Sequence, residues 1–129
     1  MKNSVMLTIT SLLLVLFLTF PLAHDIVRGY EPGGLSNLVG GVLITVVWLY
    51  GTLVLFERRS GYIIMLLVGL LAAAMPVMHM RGAHYGEIAK STGGFFFVWT
   101  LWALGALGGV TMILSVRGLW SLRRGGSRN

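Results

Sequence analysis

The sequence predicts an all-α membrane protein, a four-transmembrane-helix bundle built from two helical hairpins with both termini in the cytoplasm. Three observations carry that expectation. Residues 5–23, 38–56, 62–78 and 95–116 are apolar stretches without a single Asp, Glu, Lys, Arg or His. Each is about 17 to 22 residues long, which at about 1.5 Å per residue crosses a hydrocarbon core of roughly 30 Å. Hydrophobic residues make up 56% of the 129-residue chain and charged ones 11%, a ratio that no soluble domain of this size could cover with a polar surface. The basic residues also sort by side. With the N-terminus inside, Lys2, Arg58, Arg59, Arg117, Arg123, Arg124 and Arg128 are cytoplasmic, against Arg28, Arg81 and Lys90 outside, which is the positive-inside bias.

The first span, 5–23, follows Lys2 and ends at Pro21-Leu22-Ala23, ahead of His24. It is read as a membrane helix rather than a cleaved secretory signal. Pro21 would sit three residues before the cut, where a small residue is wanted, and the apolar run exceeds the usual length of such a signal. An outer loop, 24–37, is rich in turn formers from Arg28 through Tyr30, Glu31 and Pro32 to Gly33-Gly34. The second span, 38–56, closes the first hairpin and is followed by the basic pair Arg58-Arg59.

The third span, 62–78, ends on Pro76-Val77-Met78-His79, much as the first does. The outer loop 79–94 ends on Gly93-Gly94, and the fourth span, 95–116, leads into a basic tail, 117–129, that contains Arg123-Arg124. Both prolines are expected to mark helix exits, where the hydrogen bond they forfeit costs least. The paired glycines are expected to permit tight turns into the following helix. The halves match in several of these marks, and two readings stand: a parallel repeat, or coincidence in a glycine-rich apolar chain.

Small and hydroxyl residues mark the faces along which membrane helices approach each other. Ser4, Thr8, Ser11 and Thr19 share one side of the first helix. Tyr62, Met65, Gly69, Ala73, Pro76 and Met80 share one side of the third, with His79 near its edge. The fourth carries Gly105, Gly108, Gly109 and Met112, including a GxxxG from Gly105 to Gly109, while Gly41, Thr45 and Thr52 scatter around the second. Gly69, Gly105 and Gly109 are the expected packing glycines. Trp48 and Trp102 lie deeper than the interfacial belts, and each indole N–H is expected to find an acceptor on a neighbouring helix.

Absences narrow the chemistry. Without cysteine the chain holds no disulfide, thiolate metal site, iron–sulfur cluster or thioether-linked haem. No ionisable side chain interrupts a span, which argues against ion-coupled transport. No hydrolase, phosphate-loop or zinc-protease motif appears. A net charge of +6 suggests nucleic acid, but the excess collects on the cytoplasmic side, so the lipid bilayer is the expected partner rather than nucleic acid. The basic pairs Arg58-Arg59 and Arg123-Arg124 are the expected orienting residues.

The sharpest constellation is His24, His79 and His84, all at the outer face, close in sequence to Asp25, Met75, Met78, Met80 and Glu87. Imidazole with thioether suits copper and paired imidazoles suit haem iron, so these three histidines are the candidate metal ligands. Should the first helix continue regularly past Pro21, His24 points away from the Ser/Thr side, and a site shared with His79 then requires a break. The alternative is packing at the interface, where histidine tolerates the headgroup region and methionine fills gaps. The function expected is that of a small non-catalytic accessory or interaction subunit, bound to another membrane protein or to itself, in the bacterial cytoplasmic membrane. The alternative is a redox or metal protein with haem or copper at the outward histidines.

Overall fold

The structure, a computed structural model, describes residues 2–28, 34–82 and 85–126. The described chain is all-helical: α1 (Lys2–Arg28), α2 (Leu35–Leu53), α3 (Arg59–Met80), α4 (Tyr85–Lys90) and α5 (Gly94–Gly126). Four of these, all but α4, are long and apolar enough to cross a membrane. Successive long helices run antiparallel, so that Lys2, Leu53, Arg59 and Gly126 collect at one end, the basic end, and His24, Leu35, His79 and Gly94 at the other, the histidine end.

Observed boundaries depart from the apolar stretches in instructive ways. Helix α1 is 27 residues long and does not end at Pro21. It carries the proline inside and runs on to Arg28. A proline removes one donor and leaves the later bonds intact, so it permits continuation where nothing else terminates the helix. Pro76 likewise lies inside α3, which ends four residues later at Met80. Helix α2 begins and ends earlier than the stretch 38–56, because Val54 to Arg58 form the turn into α3, with Arg58 N–H donating to the Leu55 carbonyl at 3.0 Å.

Gly34 and Gly93 adopt φ of 54° and 89°, the left-handed backbone that glycine enters without a Cβ penalty, and each stands immediately before or next to a helix start. Helix α5 has 33 residues, about 50 Å, and so overshoots a hydrocarbon core of roughly 30 Å by several turns. Its last turns carry Trp120 with the Arg124 guanidinium 4.2 Å above the indole ring. The short α4 lies within what the sequence presents as a loop, and Ile88 anchors it against Phe97 and Leu101 of α5.

The helices do not pack as two equivalent hairpins. Helix α5 is central, with its broadest interface on α3 and the next on α1, while α2 sits at the side against α3 and α1. The core comprises Leu7 and Leu14 of α1, Trp48 of α2, Tyr62, Met65, Val68 and Ala72 of α3, and Leu104 and Leu114 of α5. The tight α3–α5 crossing needs glycine. A Cβ on Gly69 would stand 2.9 Å from the Gly108 carbonyl oxygen, and one on Gly108 would stand 2.5 Å from the Ala73 nitrogen. Gly105 makes the notch that receives the Pro76 ring, and Gly118 makes the notch that receives the Tyr62 ring. At Gly109, the second glycine of the GxxxG, the place of a Cβ is open.

Candidate functional site

One cluster of polar groups in the interior of the bundle, two hydroxyls and an indole, gathers where α1, α2 and α3 meet. Trp48 Nε1–H donates to Ser11 Oγ at 2.8 Å, and Ser11 Oγ lies 2.7 Å from Thr52 Oγ1. The Thr52 hydroxyl has the Trp48 carbonyl at 2.9 Å and the Met65 sulfur at 3.1 Å. One chain of donors satisfies the whole knot: the indole gives to Ser11, Ser11 to Thr52, and Thr52 to the carbonyl one turn back or to the thioether. In hydrocarbon such bonds cross-link helices, and this one ties the otherwise loosely held α2 to the others. Trp102 differs from Trp48. It is 56% exposed, on the outside of α5, whereas Trp48 is buried and its indole meets the expected acceptor on a neighbouring helix.

A second polar contact closes the basic end. Glu57, in the turn between α2 and α3, has φ of 60° and accepts a 2.6 Å hydrogen bond from Ser4 Oγ of α1. Beside it, the Asn3 amide donates to the Leu114 carbonyl of α5 at 3.0 Å. On the α5 side, the Thr111 and Ser115 hydroxyls are fully buried and have no hydrogen-bond partner among the described residues.

At the histidine end, α1 continues unbroken past Pro21 and carries His24 to the side that faces α5, away from Ser4 and Ser11. Continuity of the helix does not keep His24 from His79, because α5 lies between α1 and α3 and supplies the shared neighbour. The Phe97 ring centroid is 4.9 Å from that of His24 and 6.2 Å from that of His79. His79 Nδ1 lies 3.1 Å from the Met75 carbonyl. A carbonyl only accepts, so Nδ1 carries the proton and a neutral ring leaves its lone pair on Nε2. That arrangement fixes a histidine tautomer equally well for packing or for ligation.

Among the described residues no group of three His, Asp or Glu side chains converges to hold a metal ion. His84 lies outside the described residues, as do Tyr30, Glu31, Pro32, Gly33 and Arg128. Met78 and Met80 turn outward, 62% and 40% exposed, while Met75 packs against the core. Of the expected ligands, His24 and His79 thus share one aromatic neighbour, Phe97.

The basic pairs are split by the helices that carry them. Arg58 caps the start of α3 in extended conformation and Arg59 is its first residue. Arg124 is taken up by Trp120, whereas Arg59 and Arg123 line one groove between α3 and α5. Gly51 and Gly61, at the α2–α3 crossing, are packing positions that the sequence does not single out. A Cβ on Gly51 would stand 2.7 Å from Ile64, and one on Gly61 would meet the Leu55 carbonyl. Their only signal is the spacing of ten residues across a short turn, which places them opposite one another in an antiparallel pair. Set beside known protein families, characterised proteins and solved structures, the chain matches none of them.

Proposed function

We propose that this protein is a non-catalytic accessory subunit of the bacterial cytoplasmic membrane, with both termini in the cytoplasm, that binds another membrane protein through α2. The observation that carries the reading is the idle glycine pair of that helix. Glycine in a helix interior costs up to about 1 kcal/mol relative to alanine. Membrane helices recover the cost where backbones approach closely. At Gly40 nothing lies within 4 Å of a Cβ position, and at Gly41 the nearest atom is Leu22 Cδ2 at 3.9 Å, so the chain's own packing recovers little of it. Around the glycines, Val39, Val42, Leu43, Ile44, Val46 and Val47 are all at least half exposed, and the buried residues of α2 are confined to Trp48, Gly51 and Thr52 in its second half. A partner helix seated on Gly40 would supply the missing contact.

Absence of native cysteine makes the test direct. Gly40→Cys and Val47→Cys, cross-linked in native membranes, are expected to give a discrete adduct, whereas Ile9→Cys and Leu70→Cys, on exposed faces of α1 and α3, give none. An adduct of twice the monomer mass names a second copy as the partner in place of a different protein. The reading fails if no α2 position yields an adduct above background.

A second reading belongs to the histidine end: a redox or metal protein that holds haem or copper between His24 and His79. Its support is the convergence of both imidazoles on Phe97, with His79 Nδ1 anchored so that Nε2 is the ligating atom. The purified protein would then show a Soret band or stoichiometric copper or iron. Neither signal in protein prepared without chelator removes it.

A further inference from the structure

The groove between the first turns of α3 and the overshooting end of α5 has a volume of about 390 Å³ and is lined by Arg59, Ile63, Leu119, Leu122 and Arg123. Its lining is layered. Ile63 is one turn further into the bundle than Arg59 on α3, and Leu119 is one turn further in than Arg123 on the antiparallel α5. Along both walls the surface therefore changes from guanidinium to aliphatic over one turn, about 5.4 Å. Each guanidinium presents a planar fork of donors that matches phosphate oxygens, and no acid lines the groove to compete for it. The same step from phosphate to hydrocarbon occurs in a glycerophospholipid between its headgroup and the first methylenes of its chains. Volume agrees as well, lying within the range of small-molecule sites, roughly 300 to 1,000 Å³.

We infer that this groove is a binding site for an anionic phospholipid, with Arg59 and Arg123 holding the phosphate and Ile63, Leu119 and Leu122 receiving the start of an acyl chain. Two cations without a lining acid favour a headgroup with net negative charge over a zwitterionic one, whose own cation would be brought against the arginines. The cytoplasmic leaflet, where the basic bias of the sequence puts this end, is the leaflet rich in anionic lipid. Basic pockets between membrane helices on that side are the general form of such sites. Arg124, held on the Trp120 ring, stands outside the groove and contributes only to the diffuse positive field.

The test is native mass spectrometry of the full chain in detergent, titrated with phosphatidylglycerol, phosphatidylcholine or inorganic phosphate. One phosphatidylglycerol per chain is expected to survive desolvation, with phosphatidylcholine bound at least about tenfold more weakly and inorganic phosphate at millimolar concentration failing to displace the lipid. Arg59→Gln with Arg123→Gln is expected to weaken phosphatidylglycerol by about tenfold or more, while the charge-matched pair Arg58→Gln with Arg124→Gln changes it by no more than about twofold. Leu122→Trp, which fills the groove without altering charge, is expected to weaken it as well. The inference is overturned if the two double variants lose affinity equally, which makes the attraction diffuse. It is overturned too if phosphatidylcholine binds as tightly, which makes the groove merely apolar, or if inorganic phosphate displaces the lipid.

Discussion

Single residues decide how closely the long helices approach. Gly108 and Gly109 are neighbours in sequence and opposites in environment: a Cβ on Gly108 meets the Ala73 nitrogen at 2.5 Å and the Gly69 oxygen at 2.8 Å, both backbone atoms that cannot rotate away, and one on Gly109 meets nothing. Gly109→Ala is therefore expected to stabilise the protein by about 0.5 to 1 kcal/mol through helix propensity alone. Gly108→Ala should destabilise it by a larger amount, since α3 and α5 must move apart. Thermal unfolding in a mild detergent compares the two, and shifts of the same sign would show that the crossing is not as described. The GxxxG spacing is visible in the sequence, but Gly105 to Gly109 is a four-residue step. The buried positions of α5, among them Phe97, Leu104 and Thr111, and then Leu101, Gly108 and Ser115, recur every seven. Sustaining that seven-residue register from Phe97 onward is the signal that selects Gly108.

Elements show where apolar pattern stops being informative. The four spans are legible because an 18-residue apolar run has few other uses, whereas α4 has six residues and one buried side chain, Ile88, too little for any periodicity to appear. Pro21 illustrates the opposite limit. The sequence offers a helix breaker, yet no neighbouring element needs the chain to turn there, and α1 runs on to Arg28. The turn from α2 to α3 holds a cost that the sequence conceals, since Glu57 occupies left-handed backbone, which disfavours any residue with a Cβ. Its carboxylate offsets that cost through the bond to Ser4, a residue that is itself buried. Glu57→Ala should keep the strain and lose the bond. Glu57→Gly loses the same bond and relieves the strain, so the glycine variant is expected to be more stable than the alanine variant by about 1 kcal/mol. Equal melting temperatures would mean that the turn relaxes in solution.

At the scale of the whole molecule, the chain is a central helix, α5, with α1 and α3 against it and α2 tied on by the Ser11, Trp48 and Thr52 knot. That arrangement gives the two ends different chemistry. Arginines open a groove at one, and two imidazoles meet a phenylalanine at the other. The basic residues predict an orientation, which can be tested with the cysteine-free chain. In intact cells a membrane-impermeant maleimide is expected to label Gly86→Cys, at the histidine end, and to spare Ser121→Cys, at the basic end, until the membrane is broken. The reverse pattern would invert the assignment, moving the arginine groove to the outer leaflet.

The amino-acid sequence alone determined the solvent and the helices. Four uncharged runs of spanning length can satisfy their backbone in hydrocarbon only as helices, and that requirement is local to each run. It also separated a basic end from a histidine end, because charge cannot stay within a span. Tertiary structure decided which helix is central, which glycines carry the close crossings, and which of two similarly placed tryptophans is buried. It also decided that Arg59 and Arg123 line one groove and that His24 and His79 both lie against Phe97 of α5. In a bilayer an apolar face gains nothing by turning inward, so hydrophobicity, which ranks faces in water, is silent here. The arrangement is left to shape, visible only once the helices are side by side.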